Sequence, residues 1–193
     1  LTGSGEPTWY HNHDTSGIAD LNGNVWEWTG GLRLVDGEIQ IIPYGNSMKI
    51  DCDMSAASTL WKAIMPNGNL VEPGTAGTLK IDRTSASDAT PKISTTVTTR
   101  TTDSNDTNCI FKNLAAASGV SIPKLLVALG IFPDSGASYG NDHFWARNHG
   151  ERLPIRGSGF GNASNSGASA LDLSYPRSHS YVSVGFRSAF CEL

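Results

Sequence analysis

Two short apolar runs with a polar turn between them mark the first quarter of the chain. Leu32–Val35 and Glu38–Ile42 alternate apolar and polar side chains, and Asp36-Gly37 separates them. Asp-Gly between such runs is a strong short-range signal of a β-hairpin, because both turn positions require a positive φ. The pattern therefore predicts a hairpin over residues 31–43.

Further extended segments flank this hairpin. Asn22-Gly23-Asn24 predicts a turn that enters a strand at Val25–Trp28. Trp61–Val71, with Asn67-Gly68 at its turn, predicts a second hairpin, and Leu79–Ile81 predicts another short strand. Residues 84–107 are dominated by Ser, Thr and Asp, which favours an exposed loop or an exposed edge hairpin over Ile93–Thr99.

The pattern becomes helical after Cys109. Phe111–Ser118 predicts one short helix that Gly119 ends, and Ser121–Leu129 predicts a second. In the second helix Ser121 is the expected N-cap and Pro123 lies in the first turn, while Gly130 and Pro133 close it. Its apolar stripe toward the core consists of Leu125, Leu126 and Leu129.

The C-terminal part combines small polar residues with isolated apolar anchors. Between Ser158 and Ser183 most residues are Gly, Ala, Ser, Asn, Tyr, His or Asp, while Leu171, Leu173, Val184 and Phe186 recur as anchors. Along 170–175 the leucines alternate with Asp172 and Ser174, so the pattern predicts a strand with one buried face and one face toward solvent and ligand.

Composition narrows the class of protein. The 193 residues are 38% hydrophobic and carry a net charge of −4, which suits one domain and excludes a basic surface for nucleic acid. No apolar run approaches the roughly 20 residues that span a bilayer, so we expect no membrane insertion. The first residues lack the pattern of a signal peptide. Cys52, Cys109 and Cys191 are odd in number and widely spaced, which favours free thiols over a disulfide framework or a zinc site.

Three motifs together carry a resemblance to a known family. Asp20-Leu-Asn-Gly-Asn-Val-Trp-Glu-Trp28, Arg156-Gly-Ser-Gly-Phe160 and Val184-Gly-Phe-Arg187 resemble, in order and spacing, the formylglycine-generating-enzyme (sulfatase-modifying-factor) branch of the C-type lectin fold. Within that branch the ending is similar to the variable proteins of diversity-generating retroelements, a group that includes the phage major tropism determinant.

The resemblance implies both a fold and a binding surface. We expect a single α+β, C-type-lectin-like domain over residues 1–193, loop-rich, with antiparallel hairpins and two short helices. An inserted lobe would span about 45–140, and a variable ligand-binding region about 156–190. Leu171, Leu173, Val184 and Phe186 would hold the fold.

The genetic code supports a set of diversified positions. Such systems mutate template adenines, and single changes from an Asn codon give Asp, His, Tyr, Ser, Thr or Ile, the kinds of residue that also make adaptable binding surfaces. Asp172, Ser174, Tyr175, His179, Tyr181 and Ser183 lie within that set, whereas Gly161 and Val182 would need two changes. The expected ligand-binding residues are Gly159, Phe160, Gly161, Asn162, Asp172, Ser174, Tyr175, His179, Tyr181, Val182 and Ser183. Among them Phe160, Tyr175 and Tyr181 are the expected energetic anchors.

Several residues allow two interpretations. Asn22 and Glu27 resemble a calcium site of the enzyme branch, or else Asn22 forms the turn and Glu27 pairs with an arginine. His11, His13 and Asp14 suggest a metal site or, as we favour, a hydrogen-bonded loop. We expect Trp26, Trp28 and Trp145 in the core rather than as sugar-stacking residues, and Arg156 and Arg187 as structural arginines.

These features favour recognition over catalysis. The oxygen-dependent enzyme branch needs a cysteine-based site, whereas Cys191 is the one late cysteine. We therefore expect no enzyme activity and no cofactor. The expected function is that of a receptor-binding protein on a phage tail or virion, or on a bacterial cell surface, whose ligand is a host-surface protein or glycan. A trimer would add avidity. The alternatives are a formylglycine-generating-enzyme-like oxidoreductase and an invariant carbohydrate-binding lectin.

Overall fold

The computed structural model describes residues 2–187, which form a mixed β-sheet with one short helix, α1 Lys124–Ala128. The strands are β1 Trp26–Trp28, β2 Leu32–Val35, β3 Glu38–Ile41, β4 Lys62–Ile64, β5 Leu70–Val71, β6 Lys80–Arg83, β7 Pro91–Ser94, β8 Thr107–Ile110, β9 Ala115–Ala116, β10 His143–Ala146, β11 Glu151–Arg156, β12 Leu171–Tyr175 and β13 Val184–Phe186.

Strand β11 holds the two halves of the sheet together. The main path runs β8-β10-β12-β11-β2-β3-β6-β7-β9, with β1 and β13 branching from β11, and β4 and β5 branching from β3. Glu151 and Arg152 of β11 pair with β2, whereas Ile155 and Arg156 pair with β1. Pro154 lies where β11 changes partner, and the register toward β12 shifts there. The site described below surrounds the β1 end of β11.

The two predicted hairpins are confirmed. Strands β2 and β3 pair antiparallel around Asp36-Gly37, whose φ angles of 50° and 86° fit the two-residue turn that matches strand twist. Strands β4 and β5 pair around Asn67-Gly68, and the strand expected near Ile81 is β6.

The two predicted helices are wrong in extent and in one case in kind. Phe111–Asn113 is a 3₁₀ turn, and Ala115–Ala116 continues as β9, because this segment pairs in parallel with β7. Phe111 and Leu114 are buried three residues apart, a spacing that a 3₁₀ turn satisfies as well as a helix.

The second helix is also shorter than expected. It begins after Pro123, which takes the N-cap position with extended backbone, so Ser121 does not cap it. Leu126 is fully buried and Leu125 packs against the core, but Leu129 lies at the exposed end.

The stretch 84–107 is more than an exposed loop. Strand β7 lies between β6 and β9, and Ile93 is fully buried. The threonines of the stretch also have a structural role, because Thr98 N, Thr98 Oγ1 and Thr99 N all donate hydrogen bonds to the buried carboxylate of Asp82. The sequence concealed this strand because its exposed polar neighbours outnumber its apolar residues.

One hydrophobic core joins segments from the whole chain. Leu34 and Ile39 pack in the same cluster as Ile64, Ile93 and Leu126, so strands within 45–140 share the core of the strands outside it. The apolar face of β12 joins this core through Leu171 and Leu173, both fully buried as expected. A second, smaller cluster on the opposite side contains Trp26, Ile155 and Ala170.

The architecture corrects the expected fold class. Residues 2–187 form a mostly β structure of thirteen strands with a single helix of five residues. The expected α+β, C-type-lectin-like class with two short helices is therefore wrong. Within the described part of the chain, no helix is long and apolar enough to cross a membrane.

Candidate functional site

The three motif segments of the sequence lie against one another. Gly23 N donates a hydrogen bond to Gly157 O (2.8 Å), and Phe160 N donates to Asn24 O (3.0 Å), so the first and second segments interlock. The third segment contains β13, which pairs in parallel with β1. Strand β1 therefore lies between β11 and β13 and organises the site.

Gly157 is required by this close approach. Its φ is +84°, and a Cβ there would lie 2.9 Å from Leu21 O. A larger residue would strain its own backbone and push the Asn22-Gly23 turn away from β11.

Both motif arginines are structural. Arg187 donates to both carboxylate oxygens of Glu27, with a shortest distance of 2.7 Å, and to Ala19 O at 2.9 Å. This ion pair matches the arginine interpretation of Glu27. Arg156 donates to the carbonyl oxygens of Leu129 and Gly130 at the end of α1.

Trp26 is the centre around which predicted ligand-binding residues gather. Its backbone N donates to Ser183 O (2.8 Å), and its Nε1 donates to Asn162 Oδ1 (3.1 Å). Gly159 N donates to the same Asn162 oxygen (3.1 Å). The segments 159–162 and 181–183 are thus both fixed to Trp26, the first through its indole ring and the second through its backbone.

A stack of aromatic rings continues from this centre. The ring of His179 lies 3.9 Å from that of Tyr175, nearly parallel to it, and 6.3 Å from that of Tyr181. Trp28 meets His179 edge-on. Partial burial lowers the pKa of His179, which favours the neutral ring near pH 7, and burial raises the pKa of Tyr175.

Several predicted residues form an exposed apolar rim. Phe160 is 76% exposed, Tyr181 64% and Val182 84%, while Gly161 has open space where a Cβ would lie. Phe186, expected as a core anchor, is instead 80% exposed, because β13 is a three-residue strand that pairs only with β1 among the described strands. The end of the expected variable region, 188–190, and Cys191 lie outside the described residues.

Asp172 and Ser174 differ from the expectation that they face solvent. They are only 7% and 4% exposed. They do lie on the face of β12 opposite Leu171 and Leu173, but that face is covered: Trp145 of β10 pairs in register with Asp172, and Trp26 packs edge-on against Trp145 at 5.7 Å.

The covered face contains a small pocket of about 240 Å³. Its aromatic walls are Trp26, Trp145 and Tyr175, and its polar lining consists of Asp106, Arg147, Asn162, Asp172 and Ser174. We call this the Asp172 pocket. Four predicted ligand-binding residues therefore line one cavity: Asn162, Asp172, Ser174 and Tyr175.

The carboxyl group of Asp172 is perturbed by its position. Burial raises its pKa to about 6, and the nearby carboxylate of Asp106 adds to the rise. The hydroxyl of Ser174 and the backbone N–H of Ser174, which donates to Asp172 Oδ1 at 2.8 Å, oppose the rise, and so does the charge of Arg147.

Sequence reasoning missed Asp106 and Arg147, and it assigned Trp26 and Trp145 to the core alone. Trp26 is buried, and Trp145 is half-buried at the pocket wall. The alternation of side chains along 143–147 could have revealed them. Phe144 and Ala146 enter the main core, so Trp145 and Arg147 lie on the other face of the strand.

The remaining candidate residues take local roles. His11 Nδ1 accepts a hydrogen bond from Ile18 N at 2.8 Å and so orders its loop.

Burial raises the pKa of the Cys109 thiol to about 11, which keeps the thiol protonated and unreactive near neutral pH. In residues 2–187 no three His, Cys, Asp or Glu side chains are grouped as a metal site.

No protein-family model matches the chain, and no curated protein is similar to it. The functional conclusion therefore depends on the geometry of the site and on the motifs of the sequence.

Proposed function

We propose that the chain is a ligand-binding variable protein of a diversity-generating retroelement that recognises a bacterial surface ligand from a phage tail or virion. Display on a bacterial cell surface is the alternative setting. The chain acts by binding and not by catalysis, and its partner is a host-surface protein or glycan.

The observation that carries the proposal is the clustering of the predicted variable residues. They come from three separate segments, 159–162, 172–175 and 179–183, and they surround Trp26 and the Asp172 pocket. Segments that vary together can serve one ligand only if they lie close together. The proximity of these three segments therefore supports the proposal. The proposal concerns this surface and its motifs, and it does not depend on the α+β class that the structure corrects.

The chemistry of the surface also supports recognition. Exposed Phe160, Tyr181 and Val182 offer apolar area at the rim, and Tyr and Trp are the residues that most often dominate binding energy. Their side chains lie outside the main core. Changes among them therefore leave the packing of the fold intact, as a diversified surface requires.

Sequencing the locus tests the retroelement. We expect a near-copy of the stretch that encodes residues 156–190 beside a reverse-transcriptase gene, with differences confined to template adenines. A locus with neither feature contradicts the proposal.

Binding to fixed cells from a panel of bacteria tests the surface. Wild-type protein should label at least one strain, and Tyr181→Ala should reduce the labelling at least about tenfold without lowering the thermal midpoint. Exposed Tyr44, which lies outside the predicted surface, supplies the matched control Tyr44→Ala. Equal loss in both variants, or no labelling by wild type, counts against a receptor-binding role.

A further inference from the structure

The Asp172 pocket contains polar groups that residues 2–187 leave without well-formed hydrogen bonds. Arg147 Nε is buried without a partner, and Ser174 Oγ is buried beside Asp172, where it lowers the pKa of the carboxyl group but makes no hydrogen bond of good geometry. Asp172 Oδ1 accepts from Ser174 N, but Oδ2 accepts no hydrogen bond in the same part of the chain. Buried polar groups are normally paired because an unpaired one costs free energy, so two such groups beside the carboxylate of Asp172 in one cavity indicate a ligand.

The polar groups differ in what they offer. Ser174 and Arg147 can donate, as can the amide nitrogen of Asn162, whose oxygen is already used by Trp26 and Gly159. Asp172 accepts. A ligand that satisfies them all must donate and accept within a short span. Hydroxyl groups do both, and a sugar ring carries several neighbouring hydroxyl groups.

Charge and size narrow the ligand further. Two carboxylates, of Asp106 and Asp172, oppose an anion, while the guanidinium of Arg147 opposes a cation, so a neutral ligand fits best. The volume of about 240 Å³ is below the roughly 300–1,000 Å³ of pockets that enclose drug-sized molecules, which limits the occupant to one ring. Trp26, Trp145 and Tyr175 supply flat apolar walls for the C–H face of that ring.

We infer that the Asp172 pocket binds a single neutral pyranose, the terminal sugar of a glycan, by two adjacent hydroxyl groups held between Asp172, Ser174 and Arg147. The inference rests on the proposed function, since it names the ligand class of the same surface. Tyr175, at the pocket wall, leads to His179 and Tyr181, which contact whatever the sugar is attached to.

Saturation-transfer NMR with methyl glycosides of glucose, galactose, mannose and N-acetylglucosamine tests the inference on the full chain. At least one glycoside should bind, and Ser174→Ala should weaken it about three- to tenfold, because a lost hydrogen bond is worth that factor. Within residues 2–187 Ser174 Oγ makes no hydrogen bond of good geometry, so this variant should keep its thermal midpoint. Asp172→Asn should weaken binding about tenfold or more.

Exposed positions outside the pocket provide the matched controls Ser135→Ala and Asp51→Asn, which should bind as wild type. The sugar proposal is contradicted if no glycoside binds, if the Ser174 and Asp172 variants bind as wild type, or if lysine amide binds preferentially. Preferential binding of lysine amide would indicate a protein ligand that places a basic side chain in the pocket. Because sequencing the locus and labelling cells do not use free sugars, the sugar can fail while the proposed function stands.

Discussion

Asp172 is a residue whose position makes the fold less stable. A buried carboxyl group is easier to keep neutral than charged, which is why its pKa rises to about 6 while an unfolded chain holds it near its ordinary value. The folded state consequently binds a proton more tightly than the unfolded state does. At a pH below the pKa of Asp172 in the unfolded chain, the carboxyl group is neutral in both states and its burial does not lower the stability. As the pH rises through the pKa of the folded state, the stability contributed by the bound proton is lost.

Replacement of Asp172 by Asn should therefore stabilise the protein at pH 8. A shift of about two pKa units corresponds to at most about 3 kcal/mol of unfolding free energy, and the amide keeps an acceptor for Ser174 N. Urea unfolding of wild type and variant at pH 4, 6 and 8 measures the difference in unfolding free energy. Wild type should lose stability relative to the variant between pH 4 and 7. Equal stability of the two proteins at pH 8 would show that the charged Asp172 does not destabilise the fold. Asp51→Asn serves as the exposed control.

Among the elements, the contact of the Asn22-Gly23 turn with the end of β11 depends on a restrictive backbone geometry at Gly157. Gly157 combines a positive φ with a backbone oxygen where its Cβ would lie, whereas Gly161, four residues later, has open space and no such φ. The two glycines thus separate a structural requirement from a position that tolerates side chains.

Gly157→Ala should lower the unfolding free energy by about 1–3 kcal/mol, because backbone strain and the clash with Leu21 O add together. Gly161→Ala should change it by less than about 0.5 kcal/mol. Thermal and chemical denaturation of both variants compare them directly. Equal loss at the two positions would contradict the interlocked turn.

What the sequence predicted correctly at this scale is local. Asp36-Gly37 and Asn67-Gly68 specify their turns through their own backbone preferences, so the hairpins needed no knowledge of the rest of the chain. Ala115–Ala116 is a strand because β7 lies beside it, which no propensity of alanine reveals. Strand pairing thus decided the segment 111–116, whereas the second helix was misplaced because Pro123 and not Ser121 takes the N-cap position.

The same division holds in the candidate site. The residue types along 172–183 pointed to a binding surface, but burial of Asp172 and Ser174 depends on Trp145 and Trp26, which are distant in sequence from each other. Arg147 directly follows β10 and Asp106 directly precedes β8. Their position at the pocket depends on the order of strands in the sheet, which the sequence of a single segment does not reveal.

At the scale of the whole molecule, residues 2–187 share one sheet and one main core. Strand β2 pairs with β11 more than a hundred residues later, and Ile64, Ile93 and Leu126 complete the cluster around Leu34. The segment 45–140 supplies much of the packing that the rest of the chain needs.

Unfolding should therefore occur as one cooperative transition. Differential scanning calorimetry should give a single peak whose calorimetric and van't Hoff enthalpies agree, because no part has a separate core of comparable size. A chain with 45–140 replaced by a short linker should remain unfolded. Two resolved peaks, or a folded shortened chain, would indicate an independent lobe.

The hydrogen bonds of Asn162 set a limit on any repertoire that includes this position. Its side-chain oxygen holds both the Trp26 ring and the Gly159 backbone, so it belongs to the architecture as well as to the rim. If the proposed diversification reaches this position, a change to Tyr or Ile removes the acceptor that holds Trp26 and should lower the unfolding free energy by about 1–3 kcal/mol. Selection by folding would then act ahead of selection by recognition, and surviving clones should retain a short acceptor side chain at this one position while their neighbours vary freely.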